Sequence, residues 1–261
     1  LEQETNAAMF ADSMNKGHNS GTPVRRLNLH VIAIVILCNL TAHSHAAEQL
    51  IVSIAPTWNS TQGTLQRYEK SGSAWQPVGK PWPVLYGRSG LAWGSGLYGQ
   101  DEDGLHKKER DGRAPAGIFK IGKIYTYDNA LPVGADYPFH TVTAADVWPD
   151  DITHPDYNRH VTIDLKNPPP WYAKQRMRLR DFAYHWLVEI RHNSDPPVPG
   201  KGSAIFFHIR RGPAKPSAGC TTMAESDLIT LIRWLRANAN PRYVLMPAAE
   251  YEQRKAALKL P

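Results

Sequence analysis

Residues 47–261 contain a single cysteine, Cys220, and it stands in the run Ser217-Ala218-Gly219-Cys220. A thiol becomes a nucleophile once a nearby base draws off its proton. Small residues in front of it permit a tight turn whose backbone N–H groups can cradle a developing oxyanion. Ser217 and Gly219 are the candidate supports of that turn. His208 closes the apolar run Ala204-Ile205-Phe206-Phe207-His208-Ile209, and only the polar loop Arg210–Pro216 separates that run from Ser217. The loop is long enough to fold back, so strand end and turn can face each other across one cleft. His208 is therefore the candidate base, and the chemistry is acyl transfer through a thioester. The bland alternatives are a cysteine acting as a small buried hydrophobe and a histidine satisfied in the core.

The elements around the pair are legible as well. Thr222-Met223-Ala224-Glu225 has the form of a capping box, with Thr222 as cap and Glu225 reaching back. Leu228, Leu231, Ile232 and Leu235 follow as an apolar helical stripe, and Asn238 and Pro241 end it. A helix starting this close behind Cys220 predicts a lowered thiol pKa. Ala204–Ile209 reads as a strand buried on both faces, and Tyr184–Arg191 as an alternating strand. Further strands are expected at Gln49–Ala55, Gly63–Glu69, Ala74–Val78, Pro83–Leu85 and Gly117–Tyr127, with Tyr243–Leu245 as an edge strand. A short basic helix is expected at Tyr172–Asp181, opened by Pro168-Pro169-Pro170. With 19 Gly, 21 Pro and 42% hydrophobic residues among 261, the chain reads as one domain of many short strands.

Other chemistries find less support. His106, His140, His154, His160, His185 and His192 are scattered through polar loops, and no HExxH pair occurs, so no metal or cofactor is expected. Asp146, Asp150, Asp151 and Asp156 read as a solvated acidic loop without EF-hand spacing. The Gly-rich stretch Gly87–Gly104 lacks Walker spacing and reads as turns over a sheet. Trp75, Trp82, Trp93 and Trp171 can stack on sugars, though packing is their default. The front end looks like an address. Arg25-Arg26, the apolar run Leu27–Leu37 and Ser44-His45-Ala46 form a signal peptide over 24–46, with cleavage expected after Ala46 and no stable membrane span remaining. Residues 1–23 read as a non-native extension, with translation starting near Val24. Residues 1–46 carry three basic and three acidic side chains, which leaves 27 − 21 = +6 on residues 47–261. That balance favours anionic surfaces, but no nucleic-acid motif accompanies it.

His208-Ile209 followed by Ser217-Ala218-Gly219-Cys220 resembles the His…[Ser/Thr]-x-Gly-Cys signature of the L,D-transpeptidase catalytic-domain family (YkuD type). The stretches Tyr86–Gly94, Asp111–Phe119, His192-Asn193 and Gly202–His208 resemble one branch of it. The resemblance implies a mainly β sandwich or barrel with a few short helices over 47–261, its core at about 80–247. It implies Cys220 as nucleophile and His208 as proton donor and acceptor, acting without a cofactor on peptidoglycan stem peptides in the periplasm or cell envelope, with possible acylation of the thiol by carbapenems. Where the more familiar branch has a second His and an Arg or Asn, this chain has Ala218 and Thr222. The competing readings are an L,D-carboxypeptidase or amidase on the same Cys-His pair, and a non-catalytic basic wall-binding protein.

Overall fold

The computed structural model describes residues 47–261; the expected signal peptide at 24–46 and the extension at 1–23 lie outside the described residues. β1 (Gln49–Ala55), β2 (Gln62–Ser71) and β3 (Ala74–Leu85) form an antiparallel meander. β3 is continuous where two short strands were expected, because a register shift between Leu65 and Arg67 absorbs the irregularity around Gly79-Lys80-Pro81. Then come β4 (Leu91–Trp93), β5 (Ala114–Thr126), β6 (Phe139–Thr141), β7 (Asp146–Val147), β8 (Val161–Thr162) and α1 (Tyr172–Gln175). β9 (Trp186–Ile190), β10 (Phe206–Ile209), β11 (Thr221–Met223), α2 (Glu225–Trp234), β12 (Arg242–Pro247) and α3 (Ala248–Arg254) complete the chain.

The main sheet runs β12-β1-β2-β3-β11-β10-β9-β5, and a further β12–β5 pairing closes it into a barrel. This is the mainly β, few-helix architecture expected. Among the described residues no helix is long and apolar enough to cross a membrane.

Four local expectations need correction. β12 is not an edge strand: it pairs parallel with β1 and antiparallel with β5, so its run Tyr243-Val244-Leu245-Met246 is buried on both faces. β9 is buried throughout, and its Glu189 carboxylate accepts the N–H of Lys123 at 3.3 Å instead of facing water. The basic helix shrinks to the single turn of α1, since the backbone beyond it pairs with β7: Met177 N–H donates to Asp146 O and Trp148 N–H to Gln175 O. Thr222 is no helix cap. It lies in β11, paired with Leu85 on one side and His208 on the other, and α2 starts after Ala224 without a side-chain cap. Two ladders on β11 outweigh the single hydrogen bond a cap would supply. The apolar stripe itself holds, with Leu228, Leu231, Ile232 and Leu235 buried against the barrel.

Candidate active site

β10 and β11 run parallel, with Phe207 beside Thr221 and His208 beside Thr222. Alternation then divides their side chains. Phe207, Ile209 and Met223 enter the barrel core, while Phe206 and Cys220 join a second apolar cluster with Tyr125, Trp148, Met177 and Leu187. His208 shares this outer face, one diagonal position from Cys220 across the parallel pair. The Cys220 thiol donates to the carbonyl of Ala204 and Sγ accepts the N–H of Phe206, both at 3.4 Å. No hydrogen bond joins it to His208. The His208 ring bonds the carbonyl of Ile209 through Nδ1 at 2.9 Å. A carbonyl only accepts, so Nδ1 carries the proton and the neutral ring keeps its lone pair on Nε2.

The turn is built from distant pieces. Ser217 N–H donates to Tyr86 O and Arg88 N–H donates to Ser217 O, which ties the turn to the Tyr86–Gly94 motif. Gly87 lies so close to the Asp111–Phe119 motif that a Cβ there would meet Gly112 O at 2.2 Å. Gly219 has φ +153°, and a Cβ on it would stand 2.9 Å from Arg113 O, so both conformation and space demand glycine. Ser217 Oγ accepts the Gly219 N–H at 3.0 Å and donates to Cys220 O at 2.5 Å. Ser217 thus acts as the clamp of the turn, and the Gly219 amide is engaged within it.

Electrostatics overturn the expectation of a lowered thiol pKa. Burial pushes Cys220 up to about 11, opposed by the Phe206 N–H and by Lys107. Lys107 is itself buried and spends its charge on Asp111 at 2.5 Å. The helix that was expected to help begins at Glu225, and Glu225 and Asp227 occupy its first turn. Burial also lowers His208 to about 4, against the bond to Ile209. Near pH 7 both the thiol and the imidazole are therefore neutral. The ring is held from outside by Tyr184, edge-on at 5.1 Å. Arg211 lies over Tyr184 and pairs bidentately with Asp181, whose carboxylate caps the short turn Phe182–Tyr184. Sequence reasoning missed Tyr184, Arg211, Asp181 and Lys107, since nothing in their spacing marks them.

A cavity of about 240 Å³ opens over Cys220, lined among others by Trp148, Lys174, Arg176, Tyr184 and Phe206. A larger cavity of about 360 Å³ near Ser95 and Arg191 holds neither Cys220 nor His208. Buried Asn158 also escaped the sequence. Its Oδ1 accepts the Trp148 indole N–H and the Ala204 N–H, and its Nδ2 donates to the carbonyls of His192 and Asn193. His192 is buried between Ser95 N–H and Lys201 O, and burial lowers it to about 4.

The acidic stretch also needs correction. Asp146 is 1% exposed and receives His140 Nε2 at 2.9 Å and His160 Nε2 at 2.7 Å, so these groups are gathered, not scattered. Burial alone would raise its pKa, but bonds from Thr143, His140 and His160 hold it well below the usual carboxylate range.

The profile of the L,D-transpeptidase catalytic domain (YkuD) matches residues 57–244. The chain belongs to this family. The match runs from the loop after β1 into β12 and takes in both Cys220 and His208. The family consists of catalytic domains with L,D-transpeptidase activity on peptidoglycan. No curated protein matches the chain, and no solved structure does.

Proposed function

We propose that this member is an exported L,D-transpeptidase of the cell envelope that acts through a Cys220 thioester, with His208 as general base and acid. The observation that carries the reading is the common outward face of β10 and β11, which holds a tautomer-fixed imidazole and a lone thiol, the thiol lining a cavity of about 240 Å³. Sγ attacks the stem-peptide carbonyl as its proton passes to His208 Nε2. The C–N bond then breaks, and Nε2–H⁺ protonates the leaving amine. The acceptor amine attacks the thioester, yields its proton to Nε2, and the C–S bond breaks. The thiolate takes that proton back. The Gly219 N–H is bound to Ser217 Oγ, so the oxyanion is met by turn amides other than it, that of Cys220 first among them. Lys174 and Arg176 at the cavity rim suit the carboxylates of stem peptides.

Purified protein incubated with muropeptides should yield cross-linked dimers by mass spectrometry, and Cys220→Ala should yield none. Shortened monomers would instead mean that water resolves the thioester, and full activity in the alanine variant would refute the nucleophile. A carbapenem should give one covalent adduct through cleavage of its lactam C–N bond, absent in Cys220→Ala.

A further inference from the structure

The segment between β6 and β8 folds over the outer face of the barrel and carries a polar cluster that the reaction above does not use. His140 Nε2, His160 Nε2 and an Asp146 oxygen lie within 4.8 Å of one another. We propose that these three side chains bind one Zn²⁺ ion, which staples this segment and so supports the Trp148 wall of the Cys220 cavity.

The cluster has features of a ligand set as well as of a hydrogen-bond network. Asp146 is oriented from behind: its Oδ2 accepts both the Thr143 N–H at 2.6 Å and the Thr143 hydroxyl at 2.7 Å. Supporting bonds of this kind fix a metal-binding carboxylate. Its Oδ1 faces His140, His160 and the Thr162 hydroxyl at 3.2 Å, one donor more than its two lone pairs. A cation on Oδ1 relieves that excess, because each imidazole then presents a lone pair on Nε2 and carries its proton on Nδ1. Two imidazoles with one carboxylate make an N₂O set of the type zinc favours, with bonds of about 2.0–2.2 Å. Tetrahedral bonds of that length set neighbouring ligand atoms about 3.4 Å apart. The two histidine–carboxylate pairs therefore need to open by roughly half an ångström. The His140 and His160 side chains are 34% and 20% exposed, which gives the ion an entrance and room for a water as fourth ligand.

The link to the cavity is short. Trp148 follows β7 directly, its indole N–H is tied to Asn158, and Asn158 also holds the Ala204 N–H beside the Cys220 thiol. Tyr125 stacks edge-on against His140, His160, Trp148 and Phe206, so the cluster and the cavity share one aromatic wall.

The test is metal binding, read without reference to turnover. Chelator-stripped full-length protein is titrated with Zn²⁺ and followed by native mass spectrometry, calorimetry and thermal melting. One ion per chain is expected, with a raised Tm, and Co²⁺ in its place should show visible absorption from a four-coordinate N/O site. His140→Ala, at the more exposed ligand, should weaken binding at least tenfold and remove the Tm increase while leaving the circular dichroism unchanged. Cys220→Ser should bind as tightly as the wild type. Failure to retain one ion at micromolar Zn²⁺ would overturn the proposal. So would affinity unchanged in a folded His140→Ala/His160→Ala double variant, or binding lost in Cys220→Ser. Because no arm uses muropeptides, failure here is distinguishable from failure of the acyl-transfer reading.

Discussion

Two histidine regions lie on the same outer face of the barrel and solve opposite problems. His208 projects from a ladder into apolar surroundings, bonded to one backbone carbonyl and packed by Tyr184. His160 and His140 converge on a carboxylate whose other oxygen is already saturated by Thr143. Burial drives His208 down to about 4, whereas Asp146 stays charged because several donors surround it. The contrast teaches that the reactive imidazole here is the one bonded to a backbone carbonyl, with its second nitrogen free of a carboxylate. The pair tied to one anchored carboxylate is suited to holding something still.

The sharpest way to test that contrast is to remove one histidine from each region. His208→Ala should lower transpeptidation by about 10²–10⁴-fold, the usual worth of a positioned acid–base group. His160→Ala should leave measurable turnover. Equal losses, measured as initial rates on one muropeptide, would erase the distinction. Alkylation sharpens it further: with the thiol at about 11, the iodoacetamide rate should be slow at pH 7 and climb tenfold per pH unit toward pH 11.

Acid stability is the next largest effect. The folded protein holds His208 and His192 near pKa 4, while the unfolded chain titrates them near 6.5. Between these values the unfolded state binds more protons, so stability is full above about pH 6.5 and falls as pH drops toward 4. Each group contributes up to about 3 kcal/mol across that window. Denaturation midpoints at pH 7 and pH 4.5 should show the loss, and a folded His208→Gln variant should show a shallower one. An identical slope in the variant would mean that His208 is not held neutral by burial.

Arg211→Ala probes the clamp around His208 more gently. The Arg211–Asp181 pair is partly exposed, at 35% and 23%, so its loss should cost about 1 kcal/mol or less in stability. Turnover should fall only several-fold as Tyr184 loses its cover, with KM nearly unchanged. A hundredfold drop in kcat would promote Arg211 to a direct role.

The smallest effect is expected at Thr222. Its hydroxyl is buried without a partner, so Thr222→Val should be neutral or slightly stabilising by chemical denaturation. A helix cap would cost about 1 kcal/mol on the same change. Such a loss would restore the capping box that the strand pairing of β11 argues against.

Sequence alone determined the features that are local in nature. The alternation and apolar runs of β1 and β10 and the stripe of α2 are written in neighbouring side chains, and the Ser217–Cys220 turn with His208 upstream carries a family signature of its own. Tertiary structure decided everything that depends on competition between partners. Thr222 could cap a helix or pair in a strand, and two ladders won. Tyr243–Leu245 could edge the sheet or close it, and burial on both faces chose closure. The thiol pKa followed burial rather than a helix terminus, because α2 starts too far along the chain. His140, Asp146 and His160 share no spacing that a helix or strand would produce, so only the path of the chain from β6 to β8 brings them together. Local patterns report what each segment can do by itself; which of those options is taken depends on desolvation and hydrogen-bond partners supplied from distant parts of the chain.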